Sequence, residues 1–75
     1  MMTDDILVDA RGLEPPEPME LALAALDRHQ PGQRIRLFIH RQPYPLYDIL
    51  RRYHYQFSAA TLADGSFEIL IWTDP

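Results

Sequence analysis

The side chains of this 75-residue chain that could do chemistry gather in two short stretches. Residues 11–18 carry Arg11, Glu14 and Glu17 among three prolines. Residues 40–47 carry His40, Arg41, Tyr44 and Tyr47 among two more. There is no cysteine, which removes thiolate nucleophiles, disulfides and thiolate metal ligands. Neither stretch holds a Ser or Thr, so neither offers a hydroxyl nucleophile beside a base. His40 oriented by a carboxylate would make a general base, the one enzymatic alternative; the expectation is that the chain is not an enzyme. His29, His40 and His54 fall on different elements with no ligand-like spacing, and His40 with Glu14 or Glu17 makes at most a weak pair, so no metal or cofactor is expected. A phosphate cradle needs free backbone N–H groups at a helix start. Pro15, Pro16 and Pro18 remove donors from the first such start, Pro43 and Pro45 from the second, and Glu14 and Glu17 add repulsion.

Two readings of the stretches remain. Arg11, Glu14, Glu17, His40, Arg41, Tyr44 and Tyr47 form a polar recognition surface, or they form a structural cluster in which an arginine pairs with a carboxylate and the prolines fix loop shape. Either requires that the fold bring the stretches together. Ile6-Leu7-Val8 is a short apolar run ending at Asp9 and reads as a strand. Gly12 and the prolines interrupt regular structure, and Pro18 suits a helix first turn. Met19, Ala22, Leu23 and Leu26 recur at helical spacing, Arg28 and His29 favour the helix C-terminus, and Pro31-Gly32 ends it. Arg34 to His40 alternates as a second strand, with Ile35, Leu37 and Ile39 on one face. Leu46, Ile49, Leu50 and Tyr53 make a second, short helical stripe. Tyr55 to Leu62 and Phe67 to Thr73 read as third and fourth strands around the Asp64-Gly65 turn signal.

The order βαβαββ predicts an α+β two-layer sandwich. Right-handed crossovers put both helices on one face of a four-stranded mixed sheet, with the last strand antiparallel between the second and third. The carboxyl ends of the parallel strands then form the edge where ligands tend to bind in open sheets, and that edge collects both proline-rich stretches. The uncovered face would carry Arg36, Phe38, Leu70 and Trp72, with Arg34 and Glu68. An apolar patch rimmed by charge marks a protein contact, unless the long arginines themselves cover the rings.

Bulk properties set the frame. One domain spanning residues 1–75 is expected, and a domain this small buries only about 60% of its unfolded surface. The net charge is −4, and all seven basic residues are arginine. Acidic balance disfavours nucleic acid and anionic membranes, although aromatics interleaved with arginine also suit a single-stranded RNA platform. No apolar run reaches the roughly 18 residues of a membrane span, and the start lacks a basic secretory signal. The expectation is a soluble, cytoplasmic protein of bacterial type.

The segment Asp9-Ala10-Arg11-Gly12-Leu13-Glu14-Pro15-Pro16-Glu17-Pro18 resembles the signature of the TusA (SirA-like) sulfur-carrier family, Asp-x-Arg-Gly-Leu-x-Cys-Pro-x-Pro, with Pro15 at the cysteine position. The resemblance implies the same βαβαββ sandwich over essentially the whole chain, and the proline implies loss of persulfide transfer. A closer likeness is to a cysteine-lacking offshoot, the domain of unknown function 2249 family. It is carried by Arg11 to Pro18 and by His40-Arg41-Gln42-Pro43-Tyr44-Pro45-Leu46-Tyr47. This likeness implies an uncharacterised module, in a setting near haemerythrin-like and nitrogen-oxide-related proteins. The leading reading is a non-catalytic binding or adaptor module. It engages a protein partner through the His40/Arg41 edge, the open sheet face, or both, with a homodimer through the open face as one form. The alternative is an accessory domain binding a small ligand or metal in redox or nitrogen-oxide metabolism.

Overall fold

The structure, a computed structural model, describes residues 5–73. Its elements run β1 (Ile6–Asp9), α1 (Glu17–Arg28), β2 (Ile35–Ile39), α2 (Tyr44–Arg52), β3 (Gln56–Thr61) and β4 (Phe67–Trp72). The sheet order is β1-β2-β4-β3. β1 is parallel to β2, while β4 is antiparallel to both β2 and β3. This is the expected four-stranded mixed sheet in the expected order.

Alternation decides the faces. Across the sheet, Ile6, Ile35, Ile71 and Phe57 lie in one row and Val8, Leu37, Ile69 and Ala59 in the next. Ile35, Leu37, Ile69 and Ile71 are fully buried and share a core with Ala22 and Ala25 of α1 and Leu46, Tyr47 and Leu50 of α2. Both helices therefore cover the same sheet face. Each buried aliphatic side chain contributes about 1.5–3 kcal/mol. The opposite rows carry Leu7, Arg36, Leu70 and Ser58, then Asp9, Phe38, Glu68 and Ala60.

Two local expectations need correction. The buried stripe of α1 is rotated from the one containing Leu23: Ala22 and Ala25 face the sheet with Met19 and Leu26 beside them, and Leu23 is 37% exposed. Two alanines let the helix backbone approach the sheet closely, which a leucine at 25 would prevent. In α2, Tyr47 rather than Tyr53 completes the buried set; Tyr53 is 64% exposed. The helix stops before Tyr53 can extend the stripe, because His54 takes a left-handed conformation with φ 64°. The His54 N–H bonds to the Arg51 carbonyl and the Tyr55 N–H to the Leu50 carbonyl, the paired pattern of a Schellman C-cap. The hairpin falls at the Asp64-Gly65 signal, as a three-residue loop between Leu62 and Ser66. The Gly65 N–H bonds to Leu62 O and the Leu62 N–H to Ser66 O, with Gly65 at φ 86°.

The αL position at His54 generates a prediction. A non-glycine side chain there costs roughly 1–2 kcal/mol, partly offset by the lower unfolded-state entropy of histidine relative to glycine. His54→Gly is expected to raise unfolding stability by about 0.5–1 kcal/mol, read as a higher urea midpoint at unchanged slope. A lower midpoint would contradict the cap assignment.

Candidate functional site

Because β1 and β2 are parallel neighbours, their C-terminal ends leave the sheet at one edge. The connections that follow, residues 10–16 and 40–43, meet there. The Ala10 N–H bonds to the Phe38 carbonyl at 2.7 Å, extending the pairing one residue past β1. Gly12 then turns the chain at φ 80°, a conformation that demands glycine although a Cβ would meet nothing within 4 Å. Its N–H donates to His40 Nδ1 at 3.1 Å, tying the first connection to the second. Acceptance at Nδ1 places the ring proton of neutral His40 on Nε2, which is left to donate elsewhere.

Between the connections lies a cleft of about 680 Å³. Leu37, Ile39 and Leu46 line it from the core, Pro15, Pro16, Pro18, Pro43 and Pro45 form much of its wall, and Glu14, His40, Arg41 and Gln42 supply its polar groups. The volume falls in the range of small-molecule sites, which are mostly apolar with a few placed polar groups. Among the described residues, Arg41 has no ion-pair or hydrogen-bond partner. No group of three or more His, Asp or Glu is gathered among the described residues.

The seven residues singled out from sequence divide. Glu14, His40 and Arg41 line the cleft together. Glu17 opens α1 beside it, exposed, and is not among its lining residues. Tyr44, exposed, packs edge-on against Tyr47 at 5.9 Å between ring centroids. Tyr47 is buried rather than part of a polar surface: its ring stacks on Phe57 at 4.7 Å, and its hydroxyl donates to Gln42 Oε1. Burial, and then the neighbouring Tyr44, push the Tyr47 phenol up from its ordinary range. It stays neutral and holds Gln42 from below. Gln42, which sequence reasoning passed over as a loop residue, lines the cleft; its place inside the second proline-rich stretch was the available signal.

Arg11 turns the other way. Its Nε and Nη2 donate to the Asp9 carboxylate at 3.0 and 2.9 Å, and its backbone N–H donates to the same group at 3.1 Å. The guanidinium also lies 5.3 Å from the Phe38 ring centroid on the open face. There Arg36 bonds to Glu68 at 2.6 Å and sits 5.8 Å from the same ring. Arg36, Phe38, Leu70 and Trp72 thus share the open face as expected, all half-buried, and two arginines cover Phe38.

Two predictions follow from this geometry. The Arg11 side-chain hydrogen bonds, followed by its backbone N–H, hold the Asp9 carboxyl down at about 2 from its ordinary 3.8. A carboxyl depressed in the folded state adds stability above its unfolded value and loses it as the pH falls through the folded one. The stability advantage of the wild type over Asp9→Asn should therefore be full above pH 4 and fade towards pH 2, measured by urea midpoints across that range. At His40, two-bond nitrogen–proton NMR correlations of the neutral ring should show the proton on Nε2; an Nδ1–H pattern would refute the Gly12 bond.

No curated protein and no solved structure matches the chain. The family model described as "Uncharacterized conserved protein (DUF2249)" matches residues 7–73, a span that includes both proline-rich connections and all of the sheet except Ile6. The chain therefore belongs to the DUF2249 family.

Proposed function

We propose that the domain is a non-catalytic binding module whose recognition site is the cleft between the two proline-rich connections, and that it holds an apolar group ending in a single carboxylate. The observation that carries this reading is the combination of an apolar floor with Arg41, a cation that has no partner among the described residues. A guanidinium pairs bidentately with a carboxylate. His40 Nε2–H and the Gln42 amide add neutral donors. Glu14 in the same cleft disfavours multiply charged anions such as phosphates. In support of a non-catalytic role, the cleft holds no Ser, Thr or Cys, and His40 Nδ1 takes a backbone N–H where a general base would have an orienting carboxylate. The likeness to sulfur carriers belongs to the same proposal: Pro15, at the position of that family's cysteine, lines the cleft. A cytoplasmic setting fits the cysteine-free composition.

The open sheet face ranks second as a contact surface. Leu7 is 64% exposed there. Its charges, however, are spent internally, Arg11 on Asp9 and Arg36 on Glu68, which also removes the free cations an RNA platform would need.

The test is a nitrogen-15 amide titration with 4-methylpentanoate, 4-methylpentanamide, and a peptide ending in leucine with a free or an amidated C-terminus. The acid is expected to shift Gly12, His40, Arg41 and Leu46 and the amide is not. Arg41→Gln should weaken acid binding about tenfold, or 1.4 kcal/mol. Tighter binding of the free-ended peptide than of the small acid would assign the carboxylate to a protein partner; the reverse would assign it to a metabolite. Absence of saturable shifts at millimolar acid and peptide, or shifts confined to Phe38 and Trp72, would overturn the cleft as the site.

A further inference from the structure

Strand β3 closes one side of the sheet, and five of its six residues, Gln56 and Ser58 to Thr61, are exposed. The direction of its backbone groups follows from the hairpin. The Leu62 N–H to Ser66 O bond marks 62 and 66 as a hydrogen-bonded pair. In an antiparallel ladder such pairs recur at every second residue, so 60/68, 58/70 and 56/72 share the type in the observed register. Phe57, Ala59 and Thr61 therefore aim their N–H and C=O groups away from β4, to the open edge.

An edge of this kind templates further pairing unless it is guarded by charge, proline, a bulge or shortness. Gln56-Phe57-Ser58-Ala59-Ala60-Thr61 has no charged residue, no proline and no glycine. The other edge, β1, is four residues long and ends in the Asp9–Arg11 ion pair. The β3 sequence is also compatible with itself. Antiparallel pairing about Ala59 sets Ala59 against Ala59 of a second copy, Phe57 against Thr61, and Ser58 against Ala60. Every outward N–H then meets an outward C=O, and no like charges oppose one another. The small residues at 58–60 let the strands approach without a clash. With one such edge per chain, the pairing is two-fold and closes at two copies.

We propose that the occupant of the β3 edge is a second copy of this chain, joined antiparallel about Ala59 into a continuous eight-stranded sheet. Each copy carries a net charge of −4, so the pairing tightens as salt screens the repulsion. The cleft lies on the connections after β1 and β2, and the dimer leaves it open.

Sedimentation equilibrium of the full chain tests this across concentration and salt. The wild type is expected to approach twice the monomer mass. Ala59→Pro removes only an outward N–H, keeps the ladder to β4, and should raise the dissociation constant at least tenfold with unchanged circular dichroism. Ala59→Lys, which places charge on the edge, should do the same if the proline variant folds poorly. Amide hydrogen exchange adds a site-specific reading: Phe57, Ala59 and Thr61 should be protected in the wild type at high concentration and unprotected in Ala59→Lys. A wild type that stays monomeric to millimolar concentration overturns the proposal. So does a dimer that survives both Ala59 variants, or one that Leu7→Glu on the open face abolishes instead. None of these outcomes bears on carboxylate binding at the cleft.

Discussion

Parallel pairing of β1 with β2 is the constraint on which the rest of this molecule depends. Two parallel neighbours must release their chains at the same end of the sheet, and each must then cross over through a helix to continue. Here both crossovers begin with a proline-rich connection, so the pairing brings together segments 28 residues apart and lets Gly12 donate to His40. Were β1 antiparallel to β2, Glu14 and Arg41 would lie at opposite ends of the sheet and there would be no cleft. The site is thus a product of topology first and of side-chain chemistry second.

Strand faces and strand order were legible because period-two alternation in β2 and β4 leaves one arrangement that buries Ile35, Leu37, Ile69 and Ile71 together. Convergence of the two proline-rich stretches followed from the same reasoning. What was not legible depended on size and on local turns. Ala25 carries a weaker hydrophobic signal than Leu23, yet close helix-to-sheet packing selects the small residue. Tyr47 and Tyr53 look alike as candidates for the α2 stripe, and only the left-handed turn at His54 decides between them. The orientation of Arg11 was in principle available. Asp9 has the strand parity of the open face, and a side chain that forks onto Asp9 must follow it there.

Electrostatics sort the arginines by role. Arg11, Arg34, Arg36 and Arg51 are matched to Asp9, Asp5, Glu68 and Asp48, and three of these four pairs reinforce or border the sheet. Exposed pairs of this kind contribute little stability singly, typically under about 1 kcal/mol. Their larger effect is to neutralise cations that would otherwise attract anions to the open face. Arg28, Arg41 and Arg52 have no such pair among the described residues, and of these three it is Arg41 that lines the cleft.

The walls of the cleft hold five of the chain's seven prolines. Each fixes one backbone torsion before folding begins, so the connections and the helix starts that follow them surrender less freedom on folding than proline-free segments of the same length. The same stiffness persists in the folded state. A guest entering such a groove does not have to freeze its host, and a guest of the wrong shape cannot persuade the host to yield. Selectivity at this edge would then reside in contour, and kinetics would resemble a key entering a lock more than a hand closing.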